Sequence, residues 1–300
     1  EIEDATTLFC PFVYNGNTHD VDIQASPYFA PVNVLLESPS CRGIITHMRS
    51  TAETLPRLFR SEEIGAKTFH VPFGVGLPAR PQTHEGREDH LRLLFTCSWH
   101  QDPESFFVRG GLDVLDAFEV LHARYPQLRL TLRTRLPRLP ERYQRIVERC
   151  WVRVIDRFLP SEAMDDLLRE SHVFLLPAAR VHVVSVLQAM AFGQVVAWDG
   201  WGMGEYVHDG RNGLVVPGRY GKVTWMDEEA GLLREDYRAM HASDPAVVAG
   251  LVAAVSELAE DRAKRRYLGQ MARLDVASSY SLDDWNRGLK TALDRALARG

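Results

Sequence analysis

The sequence predicts an α/β protein built around a parallel sheet. Between residues 91 and 216, short apolar runs alternate with amphipathic segments, and this alternation is typical of parallel strands with helices on both faces of the sheet. Apolar residues make up 45% and charged residues 25% of the 300 residues, which argues against disordered, collagen-like and coiled-coil classes. The length is sufficient for two domains.

Apolar periodicity gives the order of the elements. Strands are predicted over 91–97, 128–132, 152–155, 173–176, 195–198 and 213–216. Helices are predicted over 112–124, 141–150, 162–170, 186–192, 246–259, 262–274 and 282–298. Ser161 is the predicted N-cap of the helix over 162–170. The first part of the chain is more irregular, with strands predicted over 8–13, 32–36, 41–46 and 68–72 and a short helix over 51–60.

Charge and cysteine usage restrict the function classes. A net charge of −5 argues against a nucleic-acid partner, because duplex binding needs clustered cationic surface. The four cysteines are far apart and form no C-x-x-C pair, so a zinc or redox motif is not expected. A reduced, cytoplasmic location is the expectation, and the acidic first residues are unlike a secretory leader.

The turn Arg109-Gly110-Gly111 is the first candidate ligand site. It follows the strand over 91–97 and opens a helix, where free N–H groups and the helix dipole favour an anion. Arg109 adds a charged fork for phosphate. The alternative is an ordinary turn with a solvated arginine.

Two further candidates follow later strands. His182, Val184 and Ser185 lie where a loop becomes a helix, and the amide of Gln188 one turn later could bond hydroxyl groups. Glu205 follows a glycine-rich loop after the strand over 195–198. Internal packing of Gln188 and His182, and a helix-dipole role for Glu205, are the alternatives.

Five motifs occur in order along the chain, at residues 93–97 (LLFTC), 109–118 (RGGLDVLDAF), 159–164 (LPSEAM), 188–193 (QAMAFG) and 205–217 (EYVHDGRNGLVVP). Their order and spacing resemble the donor-binding domain of GT-B glycosyltransferases, in particular the retaining family 4 group. Residues 71–75 (VPFGV) resemble the family's motif at the linker.

This resemblance implies a GT-B-like fold and an enzyme that transfers a hexose from a nucleotide-diphosphate-sugar to an acceptor, with retention and without a metal or other cofactor. Arg109 replaces the family's lysine and is the expected catalytic cation. The donor-binding residues it implies are Ser98, Gly110, Gly111, Arg180, His182, Val184, Ser185, Gln188 and Glu205. The acceptor would be a carbohydrate, a lipid or a small molecule.

The resemblance also implies a division of the chain. Residues 1–72 would be a truncated or reduced acceptor-side domain, 73–89 a linker, 90–278 the donor-binding domain, and 279–300 a helix returning to the amino-terminal part. Trp285 would anchor that helix.

The sequence departs from the family in the glycine loop after the second strand, which is replaced by Arg133-Thr134-Arg135, and at two ligand positions. The family has two glutamates eight residues apart, the first near the transferred sugar and the second on the donor ribose. Here these positions are Arg180, which reverses the charge, and Gln188, which can still bond a ribose hydroxyl. The family's Gly-Arg pair after the first strand is replaced by Cys97-Ser98, which removes a phosphate-binding cation. Two other functions therefore stay open: a weakly active or inactive nucleotide-sugar-binding or scaffold protein, and a nucleotide-sugar epimerase.

Two weaker patterns are open to other interpretations. Asp20 and Asp22 match the metal-binding pair of the other glycosyltransferase fold, although such a pair is common by chance. Four arginines recur at helical spacing and form one row: Arg138, Arg142, Arg145 and Arg149. This row could contact anionic lipid and give peripheral membrane association, or it could form a solvated helix face.

Overall fold

The computed structural model describes residues 1–2, 23–79, 91–97, 103–197, 199–227 and 232–299. After a 3₁₀ turn at Ile23–Ala25, its amino-terminal part consists of α1 (Phe29–Glu37), β1 (Ile44–Thr46), α2 (Arg49–Phe59), α3 (Glu62–Lys67) and β2 (Thr68–His70). β1 and β2 pair in parallel. The predicted strand over 8–13 lies outside the described residues.

The strand predicted over 32–36 is wrong, because this segment is part of helix α1. Pro31 does not prevent the helix, since it lies in the first turn, where a backbone N–H has no partner within the helix. Lys67 stabilises the other end of α1. Its buried Nζ donates to the carbonyl oxygens of Leu36, Glu37 and Ser38 at 3.3, 2.9 and 3.0 Å.

The predicted parallel sheet is confirmed. It has five strands in the order β5-β4-β3-β6-β7, and all neighbouring pairs are parallel. The strands are β3 (Arg92–Thr96), β4 (Arg129–Arg133), β5 (Val152–Ile155), β6 (Val173–Leu175) and β7 (Val195–Ala197). Leu93, Leu94 and Phe95 in the central strand β3 are fully buried, as expected for a strand covered on both faces.

Helices alternate with these strands and continue to the end of the chain. They are α4 (Ser105–Val108), α5 (Gly111–Arg124), α6 (Glu141–Val147), α7 (Ser161–Glu170), α8 (Val183–Ala191), α9 (Pro245–Glu260), α10 (Arg262–Ser279) and α11 (Leu282–Leu297). Ser161 is the first residue of α7 rather than its N-cap; Pro160 takes the cap position. Helix α8 begins at Val183, three residues before its predicted start.

The segment after β7 differs from the prediction. The expected strand over 213–216 is only an isolated bridge, in which the Leu214 N–H donates to the Val196 carbonyl at 2.8 Å. An antiparallel hairpin was not predicted and follows as β8 (Thr224–Asp227) and β9 (Leu232–Glu235). Strands of four residues are too short to give a clear alternation signal.

The last helix, α11, lies against the amino-terminal part. The Trp285 ring stacks on Phe73 with centroids 5.1 Å apart, and a Cβ at Gly288 would be 2.9 Å from Cγ1 of Val71. The domain boundaries themselves remain predictions.

Gly110 is the point at which the starts of two helices approach each other. Its φ of 76° lies in the left-handed region, and a Cβ there would be 2.5 Å from the carbonyl oxygen of Pro177. Pro177 follows β6 and leads to the start of α8. A side chain at position 110 would therefore push α5 away from the segment before α8.

We predict that Gly110→Ala destabilises the fold more than Gly210→Ala does. Both glycines have positive φ, but a Cβ at Gly210 would meet nothing within 4 Å, so Gly210→Ala measures the backbone strain alone. That strain costs about 1–2 kcal/mol, and Gly110→Ala should lose further free energy of unfolding through the contact with Pro177. Denaturant unfolding of both variants checks this, and equal losses would contradict it.

Candidate functional site

A cavity of about 220 Å³ lies at the carboxyl ends of β3 and β4, beside the first turns of α8. It brings together three of the predicted donor-binding residues, Val184, Ser185 and Gln188. Parallel sheets bind ligands at this edge, where the strands end and the helices begin. The rest of its lining includes Thr96, Cys97, Arg133, Met164, Leu168 and Phe174.

Arg133 places a cation in this cavity that the sequence did not identify as a ligand-binding residue. It is the last residue of β4, and its Nη1 donates to the Cys97 carbonyl oxygen at 2.7 Å. The guanidinium thus lies at the end of β3, where the sequence lacks the family's arginine. Its position at the carboxyl end of a predicted strand was the available signal. Burial raises the pKa of the neighbouring Cys97 thiol, which keeps that group neutral.

Arg109 is buried and is not among the residues that line the cavity. It is 3% exposed, and its Nη1 donates to the Thr96 carbonyl oxygen at 3.3 Å. Gly110 and Gly111 follow it at the start of α5, against Pro177 and the ring of Phe106. The turn and the segment leading to α8 are therefore adjacent, as the proposed phosphate site requires.

His182 is the N-cap residue of α8 and lies close to two cations. Burial lowers its pKa well below the usual value, and the charges of Arg109 and Arg180 lower it further. Its ring is therefore neutral at neutral pH. Its buried Nε2 has no hydrogen-bond partner in the part of the chain that the structure describes. A buried polar atom of this kind is one that a ligand or a water can satisfy.

Arg180 forms a buried ion pair. Its Nη1 lies 3.4 Å from Oε1 of Glu235, the last residue of β9, and the two side chains are 3% and 0% exposed. The sequence had suggested that Arg180 reverses the charge beside the transferred sugar. The Glu235 carboxylate neutralises this charge, and no pattern in the sequence predicted the contact.

Glu205 does not line the same cavity as Gln188. Its carboxylate accepts hydrogen bonds from the backbone N–H groups of Arg49 and Ser50 at 2.6 and 2.9 Å, and from the Ser50 hydroxyl at 2.6 Å. It therefore occupies the N-terminus of α2. A second cavity, of about 490 Å³, lies beside Glu205 between α2 and the glycine-rich loop over 199–204.

Several other predicted features are not assembled into the site. Ser98, Asp20 and Asp22 lie outside the described residues. Within the described ranges, no three His, Cys, Asp or Glu side chains are grouped as metal ligands. In the arginine row of α6, Arg142 pairs with Asp116 at 2.5 Å and Arg145 with Glu141 at 3.2 Å.

No helix in the described part of the chain is long and apolar enough to cross a membrane. Contact of the arginine row with a membrane surface remains a prediction.

Comparison with known proteins identifies the domain that contains these helix starts. Residues 105–232 match the family described as "Glycosyl transferases group 1". Over this range the chain is similar to that family. No curated protein sequence matches it.

Solved structures confirm the GT-B-like fold. Sucrose-phosphate synthase from Thermosynechococcus elongatus has a TM-score of 0.66 at 16% identity, covering 97% of this chain and 67% of that chain. The C-terminal domain of LpcC from Francisella tularensis, a glycosyl transferase group 1 family protein, has a TM-score of 0.50 at 12% identity, covering 69% and 96%. Anabaena Alr3699/HepE, in complex with UDP and glucose, has a TM-score of 0.59 at 13% identity, covering 84% and 63%.

The chain is shorter than most of these structural relatives. It spans 63% of the HepE chain, and 48% of the chain of TarM from S. aureus. At identities of 10–16%, the likeness concerns the fold.

We predict that acidification destabilises the protein partly through His182. A histidine with a lowered folded-state pKa contributes stability that is fully present above the unfolded pKa of about 6.5 and is lost as the pH falls below it. The free energy of unfolding of wild type should therefore decline more steeply below pH ~6.5 than that of His182→Gln. Denaturant unfolding as a function of pH measures this difference, and parallel profiles would contradict a neutral buried His182.

Proposed function

We propose that the protein is a glycosyltransferase that takes its sugar from a nucleotide-diphosphate-sugar without a metal. The observation that carries the proposal is the cavity at the carboxyl ends of β3 and β4, in which the first turns of α8 lie beside Arg133. Helix N-termini and guanidinium groups are both suited to bind phosphate oxygens. The similarity to the group 1 family supports the same assignment, as does UDP in the complex of the structural relative HepE.

Each residue has a specific role in this proposal. Gln188, which is exposed in the cavity, offers its amide to a ribose hydroxyl, and the N–H groups at the start of α8 face the diphosphate. Arg133 supplies the cation missing from Cys97-Ser98. When the glycosidic bond breaks, negative charge develops on the leaving diphosphate, and Arg109 with the two helix N-termini stabilises it. Hexose transfer with retention of configuration belongs to the same proposal.

A screen of nucleotide-sugars by thermal shift tests the binding step. A ligand that binds only the folded state raises its stability, so the matching nucleoside diphosphate and its sugar conjugate should both raise the melting temperature. Product analysis with and without added acceptors then measures transfer, hydrolysis or epimerisation. Failure of every nucleotide and nucleotide-sugar to bind would contradict the proposal.

A non-catalytic nucleotide-sugar-binding protein is the second candidate. The ion pair between Arg180 and Glu235 favours it, because these charges occupy the place where the family resemblance implies a glutamate beside the transferred sugar. Binding without hydrolysis or transfer would support this candidate over the enzyme.

We predict that Gln188→Ala weakens nucleotide binding about three- to tenfold, the loss expected for one neutral hydrogen bond. Gln144→Ala is the matched control. Gln144 is an exposed glutamine on α6, where its amide donates to Glu148 at 2.8 Å, and it does not line the cavity. Isothermal titration with the nucleotide found in the screen measures both variants. Equal affinity of wild type and Gln188→Ala would exclude the ribose contact.

A further inference from the structure

The hairpin segment, defined here as residues 219–227 and 232–244, is attached to both helix starts of the candidate site. At its beginning, buried Arg219 donates from Nε and Nη2 to the carboxylate of Asp113 at 3.1–3.2 Å. Asp113 lies in the first turn of α5. At the end of β9, Glu235 pairs with Arg180, two residues before the N-cap of α8. One segment thus contributes a charged side chain to each helix start.

The strand that ends at Glu235 contacts the amino-terminal part, whereas the partner of Glu235 lies in the sheet domain. Strand β9 contacts α2 and the 3₁₀ turn at Ile23–Ala25 in the amino-terminal part, whereas Arg180 belongs to the sheet domain. Glu235 is fully buried and Arg180 nearly so. The ion pair is therefore shielded from solvent, and Arg180 is not among the residues that line the cavity with Ser185 and Gln188.

The ligand that Arg180 could otherwise bind follows from its chemistry and position. A guanidinium binds carboxylate and phosphate oxygens with the same two-donor geometry. Arg180 precedes His182, the N-cap of α8, by two residues, and the charges of Arg180 and Arg109 both lower the pKa of the His182 ring. The charge of Arg180 therefore attracts an anion that binds at the start of α8. In this structure the anion beside Arg180 is the Glu235 carboxylate.

We propose that Glu235 is an internal competitor for the diphosphate of the donor. Its carboxylate holds Arg180 when no nucleotide is bound, and a phosphate group of the nucleotide takes its place when one binds. This inference rests on the proposed function, because it assigns a regulating contact to the same site. The apparent affinity for the donor is then lower, because Arg180 is available only in the fraction of molecules in which Glu235 does not pair with it.

Removing the charge of Glu235 tests the inference. UDP, GDP and ADP are titrated into the full chain of wild type and of Glu235→Gln by isothermal titration calorimetry. Glu235→Gln should bind the preferred nucleotide about tenfold more tightly than wild type, because the Arg180 guanidinium is then free to bind a phosphate oxygen. In the double variant Arg180→Gln/Glu235→Gln the gain should disappear, because the released guanidinium is its source.

Asp227→Asn is the matched control. Asp227 is another hairpin carboxylate; it pairs with Arg234 at 3.3 Å, is 30% exposed, and lies at the opposite end of the β8–β9 pairing from Glu235. Removing its charge changes the net charge by the same amount, so nucleotide affinity should stay at the wild-type value. Equal gains in Asp227→Asn and Glu235→Gln would indicate a general charge effect and overturn the inference.

A second measurement does not depend on folding of the variants. Hydrogen exchange of wild type, with and without saturating nucleotide, reports on the backbone of the hairpin. If the nucleotide displaces Glu235, amides of β8 should exchange faster in the bound state. Slower or unchanged exchange in a protein that binds nucleotide would contradict the displacement.

The outcomes separate this inference from the proposed function. If wild type binds a nucleotide and Glu235→Gln binds it no more tightly, the competitor role is wrong and the nucleotide site stands. If neither protein binds any of the three nucleotides, both proposals fall. Binding by Glu235→Gln alone supports both.

Discussion

The close approach of Gly110 to the Pro177 carbonyl is the constraint on which the candidate site depends. A Cβ at position 110 would be 2.5 Å from that oxygen, so only a glycine allows α5 to begin beside the segment that leads into α8. Two helix N-termini, each with unpaired backbone N–H groups, then belong to one region. Their combined fields favour an anion there more than either helix start would alone. The neighbouring arginines, Arg109 and Arg180, increase the positive potential of this region.

Buried charges must be compensated, and the hairpin segment supplies one partner at each helix start, Arg219 to Asp113 and Glu235 to Arg180. Burial raises the pKa of Asp113 to about 6, although Arg219 favours its charged form. Arg180 is likewise stabilised by Glu235. Breaking a buried pair by removing one partner is costly because an uncompensated charge remains. The hairpin segment is therefore part of the electrostatic balance of the domain, and the buried partners at its two ends hold it over the helix starts.

The sequence predicted the parallel sheet because β3 to β7 are apolar runs whose periodicity is set by burial on both faces. It also predicted Val184, Ser185 and Gln188 as neighbours, since residues at one helix start must lie together. It could not predict the contact of Arg180 with Glu235, which are 55 positions apart and are joined by a hairpin whose strands are too short to be recognised. The α1 segment was misassigned for a related reason. Its helix is stabilised by a distant lysine, Lys67, which periodicity within the segment cannot show.

The sequence identified Glu205 as a candidate ligand residue but did not predict the contacts that its carboxylate makes. The sequence places it after a glycine-rich loop, which is compatible with a ligand role. The structure pairs its carboxylate with backbone N–H groups of α2, more than 150 residues earlier in the chain. That contact joins the sheet domain to the amino-terminal part, so a substitution of Glu205 would disturb the arrangement of the two parts as well as the second cavity that it lines.

The two departures at ligand positions are each accompanied by a compensating charge from another strand. The cation missing from Cys97-Ser98 is replaced in space by Arg133, whose guanidinium contacts the Cys97 carbonyl oxygen. The reversed charge at Arg180 is neutralised by Glu235. The pair at Arg180 favours the non-catalytic candidate, because its charges occupy the position of the family's glutamate. Arg133 is the stronger sign of a retained anion site, because its guanidinium lines the cavity and donates to a neutral carbonyl oxygen, which leaves its positive charge available to a phosphate.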